Sequence, residues 1–238
     1  MATRTAATLE ARQLTIKDRR FFVIMAIAST LAVLLGFGRT YYLKSYFGTP
    51  RLSLLIHLHG AVFTLWTIFF IVQTSLIATN RPRAHRLLGY AGAALAIAMV
   101  GSGIAVAFKA RLLGHGAPSP DALFLVSLGD LFTFGIFVGA GFLWRRNREA
   151  HQRLMLLAVV AGLLAAAIPR ISVVRDHPVA MAFLGLAFIL AGPIYDLVTR
   201  RRIHPAYIWG CLFAIVTLPP VRIALSFTPA CTESPIGS

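Results

Sequence analysis

Long apolar runs alternate along the chain with short clusters of arginine, glycine, proline and asparagine. Runs of spanning length, about twenty residues each, fall at roughly 21–40, 54–79, 87–109, 121–144, 153–172, 179–199 and 206–227. Each run predicts a membrane-crossing helix, because a backbone in hydrocarbon must satisfy its own polar groups. The expected fold class is therefore all-α, a polytopic transmembrane helix bundle of about seven helices. Residues 1–20 are expected as a cytoplasmic N-terminal segment, 21–227 as the seven-helix transmembrane domain and 228–238 as a short outer C-terminal tail.

Composition excludes a soluble domain. The 238 residues are 58% hydrophobic with a mean hydropathy of +0.76, which leaves too little polar surface to cover a core. The formal charge of +15 and pI near 11.3 would suit a nucleic-acid binder. The basic residues instead fall between apolar runs, where they set topology and touch lipid headgroups. The lipid bilayer is the expected partner and nucleic acid is not.

Counting Lys and Arg gives the orientation. The N-terminal segment carries Arg4, Arg12, Lys17, Arg19 and Arg20. Arg81, Arg83 and Arg86, then Arg145, Arg146, Arg148 and Arg153, then Arg200, Arg201 and Arg202 follow at every second connection. That side is expected to be cytoplasmic, in a bacterial inner membrane. Arg39, Lys44, Arg51, Lys109, Arg111, Arg170, Arg175 and Arg222 are spread more thinly over the other side. The first run reads as an uncleaved helix. Cys211 lies in the last run and Cys231 in the tail, too far apart for a disulfide. Gly114 to Pro120 forms a flexible outer loop containing His115.

Ionisable groups inside the spans are where chemistry is to be sought. Asp130 is the one deep acid, roughly 13 Å from the outer end of its helix, with Ser127 and Thr133 on its face. Asp196 has Arg200 one turn on and reads as an interfacial ion pair. Arg39, Arg170 and Arg222 gather near outer helix ends. His57 and His59, about 200° apart on a helix, face opposite directions. His57 shares a face with Gly60, Ala61 and Thr64, and His59 with Trp66 and Gln73. His85 and His151 open inner helix ends, His177 opens an outer one, and His204 sits by the inner interface. As haem axial ligands, His57 or His59 would pair with His177 at the outer side, and His85 with His151 at the inner side. The small residues of Gly135-x-x-x-Gly139 permit close helix packing.

The segments His57-Leu58-His59-Gly60-Ala61-Val62-Phe63, His85-Arg86-Leu87-Leu88-Gly89 and His151-Gln152-Arg153-Leu154-Met155 carry a resemblance. Over nearly all its length the chain resembles a family of uncharacterised bacterial multi-pass inner-membrane proteins, a likeness that implies no activity. More distantly, its second to fifth helices are similar to the four-helix membrane cytochromes b and ferric-reductase-like proteins. That likeness implies non-covalent haem b and electron transfer across the membrane.

Other readings fall away. The lysines are Lys17, Lys44 and Lys109, none in the last run, so a retinal Schiff base has no partner. A single deep carboxylate does not make a proton relay. The leading expectation is a haem or quinone near the outer face, held by His57 or His59, Asp130, Arg170 and Arg222, for electron transfer. The alternatives are a transporter or binding protein for a small organic anion or lipid using the same arginines, and an accessory or assembly subunit of a larger membrane complex.

Overall fold

The computed structural model describes residues 2–48, 50–114 and 119–217, with side chains from Ile16 onward. Arg222, Cys231 and His115 lie outside the described residues. Helix α1 spans Ala2–Phe37 and continues into a π-turn at Gly38–Tyr42. Then come α2 (Leu54–Ala78), α3 (Pro82–Leu112), α4 (Pro120–Leu143) and α5 (Arg148–Arg170). After a single turn at Ser172–Arg175, α6 (Pro178–Arg200) and α7 (Pro205–Val216) complete the described chain.

Local chemistry sets these boundaries. Proline occupies the first position of α3, α4, α6 and α7, where its fixed φ suits a helix and its missing N–H costs nothing. The Ser119 hydroxyl accepts from Ala122 N at 3.0 Å, and the Asn147 side chain accepts from Glu149 N and Ala150 N at 3.1 Å, so α4 and α5 begin capped. Asn80 (φ 60°) and Arg201 (φ 56°) end α2 and α6 in left-handed conformation, the usual helix stop.

Ile16–Tyr42 and helices α2 to α6 are six helices long and apolar enough to cross a membrane. At 12 residues α7 is shorter, about 18 Å of helix. The fold is thus an all-helical multi-pass bundle, with no strand among the described residues. Around it runs a belt of exposed Leu, Ile, Val and Phe, including Leu35, Ile97, Phe132 and Val198, which water would penalise and lipid accepts. Helix runs without a break from Ala2 to Phe37 through the first span, and Asp18 on it is buried.

Helix α5 occupies the centre. Of its most apolar window 72% is buried, against 22–39% in the other five spans. It packs against α1, α4, α6 and α7. Small residues make this possible, since Gly162 lies against the Phe134 backbone and Gly36 of α1 against the Ala167 carbonyl. A π-turn at Ala158–Leu163 interrupts α5 at the level of Gly162. The GxxxG pair on α4 divides: Gly135 touches Val100 of α3, and Gly139 faces open space.

Candidate functional site

Three polar clusters interrupt this apolar bundle. Two lie at the basic end, where the turns after α2, α4 and α6 carry the arginine groups. One lies in the opposite half.

In the half away from the basic end, His59 of α2 meets Ser102 of α3, Nδ1 to Oγ at 3.0 Å. The Ser102 hydroxyl is also within reach of the Met99 carbonyl at 3.3 Å. If that hydroxyl donates to Met99, its oxygen accepts from His59 Nδ1–H and leaves Nε2 with a lone pair. Asp130 of α4 is 8% exposed and close enough to Arg170 of α5 for their charges to interact. Arg170 donates to the Ala166 carbonyl and stands 5.1 Å from the Phe37 ring centroid. Phe37 packs on Phe63 at 5.2 Å, and Phe63 on His59 at 6.3 Å. His59, Arg170 and Asp130 are thereby joined through two aromatic rings. Thr133, one turn from Asp130, donates to Thr217 Oγ1 at 3.3 Å.

His57 turns the other way, as its spacing from His59 requires. Its ring lies 5.8 Å from that of Tyr41, whose hydroxyl donates to the His57 carbonyl at 3.1 Å. The small face of His57, Gly60 and Thr64 receives Tyr41 and Tyr42, with Tyr42 Oη 2.9 Å from Thr64 Oγ1. His177 is exposed at the N-cap of α6.

At the basic end His85 of α3 and His151 of α5 meet edge to face, ring centroids 6.0 Å apart. His151 Nδ1 lies 2.7 Å from the Gly141 carbonyl of α4 and so carries the hydrogen, leaving Nε2 as its free lone pair. His85 Nδ1 is buried and unpartnered, and so is Oε1 of Gln73, although the His85 ring also has the Gln73 backbone as a hydrogen-bonding neighbour.

The third cluster extends the Asp196–Arg200 pair into a network across three helices. Arg153 of α5, 1% exposed, donates from Nε and Nη2 to both oxygens of Asp196 on α6 at 2.8 and 2.7 Å. Arg200 bridges Asp196 at 3.1 Å and Asp18 of α1 at 2.6 Å, and Tyr195 donates to Asp18 at 3.0 Å. The Asp196–Arg200 pair is present as expected, but Asp196 is 1% exposed and its closer partner is Arg153. A cleft of about 290 Å³ opens over this network, lined by Glu149, Arg153, Arg200, Arg202 and His204 among others. The His204 imidazole accepts from Ala206 N at 3.1 Å. Burial, and then the positive charge of Arg153, lower its pKa from the ordinary value, consistent with a neutral acceptor.

No protein-family model, curated protein or solved structure matches this chain. Among the described residues no group of three or more His, Cys, Asp and Glu gathers for a metal.

Proposed function

We propose that this multi-pass protein belongs to the bacterial inner membrane and binds the headgroup of a lipid-soluble redox cofactor in the half away from its basic end, passing electrons. Of the two cofactors open from the sequence, a quinone suits the cluster better than haem b. The observation that carries this is the linkage of His59, Arg170 and Asp130 through Phe37 and Phe63. It supplies hydrogen-bonding groups beside flat apolar walls at bilayer depth, which a quinone ring requires. The His59 ring lies against α3, its Cε1 next to the position a Gly103 Cβ would occupy. So closely packed an imidazole suits a single hydrogen bond to a ring carbonyl better than ligation of a haem iron, which needs the whole macrocycle next to its nitrogen.

A quinone, when bound, supplies reversible uptake of electrons and protons. The chain's part is positional. Ser102 holds His59 so that Nε2 accepts or returns a proton at one carbonyl position. Arg170 offers a donor while Asp130 offsets its charge in a medium where a lone charge is costly. Phe37 and Phe63 exclude water. An anion-carrier reading leans on Arg170 with Arg222, and Arg170 already serves Ala166, Phe37 and Asp130.

The test is titration of the detergent-purified protein with a short-chain quinone analogue, followed by tryptophan quenching, for the wild type and for His59→Leu and Arg170→Gln. We expect each variant to bind at least about tenfold more weakly, the loss of roughly one hydrogen bond to a charged or buried group. Equal affinities in all three proteins would remove the reading. A stoichiometric Soret band lost in His59→Leu would replace quinone by haem.

A further inference from the structure

At the basic end four helices together bring five polar or soft groups toward one another. Gln73 comes from the last turns of α2, His85 from the first turn of α3, Gly141 from the end of α4, and His151 with Met155 from the start of α5. His151 and Met155 are four residues apart and share a face. The Met155 sulfur lies 2.9 Å from the position of a Cβ on Gly141, the residue whose carbonyl anchors His151. The thioether therefore packs on the α4 residue that anchors the imidazole.

Two features indicate a missing partner. His85 Nδ1 and Gln73 Oε1 are buried without hydrogen bonds, although Gln73 is only 9% exposed. Buried polar atoms are seldom left so. The arrangement of His151, with Nδ1–H on a backbone carbonyl, is also the one by which proteins orient a metal-binding imidazole. One ion held by a nitrogen from each ring at about 2 Å would set the centroids about 5–6.5 Å apart, and the observed 6.0 Å lies within that range.

We propose that His85 and His151 hold a single cuprous ion, with Met155 as a third donor and the Gln73 amide closing the site. The donor set selects the metal. Imidazole accepts zinc, copper, iron or nickel, whereas a thioether favours Cu(I). No carboxylate is among these groups, and Arg86 acts electrostatically on His85, so a monovalent ion suits the site better than a divalent one. This inference is independent of the quinone reading, since the two clusters share no side chain.

The experiment is anaerobic Cu(I) titration of the full chain, purified by a tag without histidine, against a chromophoric Cu(I) chelator. One equivalent per chain is expected. His85→Ala and His151→Asn should each lower affinity beyond the roughly 10–100-fold of an outer-shell change. Met155→Leu should lower it less, and the exposed His177→Ala not at all. Less than about a tenth of an equivalent in the wild type, or binding unchanged in both histidine variants, would overturn the proposal. So would a Soret band that depends on the same two histidines. If a histidine variant does not fold, copper K-edge absorption of the loaded wild type decides. Two imidazole scatterers with one sulfur support the site, and a spectrum lacking either overturns it.

Discussion

At the scale of single residues the energetic centre is Arg153, not any group that looked chemical. A guanidinium 1% exposed, bound bidentately to Asp196, has given up water for that carboxylate, the Glu149 carbonyl and, at 3.6 Å, the Glu149 carboxylate. Removing one member of such a pair strands the other and costs about 3–5 kcal/mol, whereas replacing both by apolar residues is often close to neutral. Arg153→Met should therefore lower stability by about that amount, and Arg153→Met with Asp196→Leu should lose less than the single variant. Reversible unfolding in mixed detergent micelles measures both, and strict additivity would show that the two side chains are not coupled. The sequence displayed half of this network. Asp196 and Arg200 are one turn apart and readable together. Arg153 closes a run of four arginines and reads as a topology signal, and Asp18 meets Arg200 across 182 positions, a distance no local pattern bridges. The divergence of His57 and His59 was readable because helical rotation alone dictates it.

At the scale of elements, existence was easier to read than rank. Six spans have the length and apolarity expected, and proline, serine and asparagine start helices where their chemistry places them. That α5 is the central helix was not visible, because its hydropathy is no higher than that of the lipid-facing spans. Hydropathy measures transfer out of water and does not distinguish a neighbour made of protein from one made of lipid. Side-chain size distinguishes them, as small residues admit a second backbone. A methyl at Gly36 would enter the Ala167 carbonyl of α5, while one at Gly139 would meet open space. Gly36→Ala should thus cost about 1–3 kcal/mol, and Gly139→Ala should stay within about 0.5 kcal/mol of the wild type. Thermal unfolding in one detergent compares them directly. Equal effects would mean that α1 does not approach α5 as closely as its glycine implies.

At the scale of the whole molecule, the two candidate sites are joined by one face of α2. His59, Trp66 and Gln73 recur at seven-residue intervals, Trp66 is 1% exposed, and Trp66 stacks edge-on to Phe134 at 4.9 Å. The fourteen residues from His59 to Gln73 cover about 21 Å of helix, so the clusters sit toward opposite surfaces and an aromatic pair lies between them. Which surface each cluster faces depends on the arginine asymmetry, and cysteine accessibility reads it without disturbing those charges. With Cys211 and Cys231 replaced by alanine, Thr79→Cys and Ile203→Cys at the basic end should react with a membrane-impermeant maleimide only in inverted vesicles. Tyr46→Cys and Val173→Cys, both exposed at the opposite end, should react only in right-side-out ones. That pattern would place the His85–His151 pair at the cytoplasmic surface, supplied with any ion from inside the cell, and the His59–Arg170 cluster in the outer half. The reverse pattern would exchange the two sides and make the histidine pair a receiver of extracytoplasmic metal. Labelling from both sides at each position would mean that the charge bias does not set a single orientation for this chain.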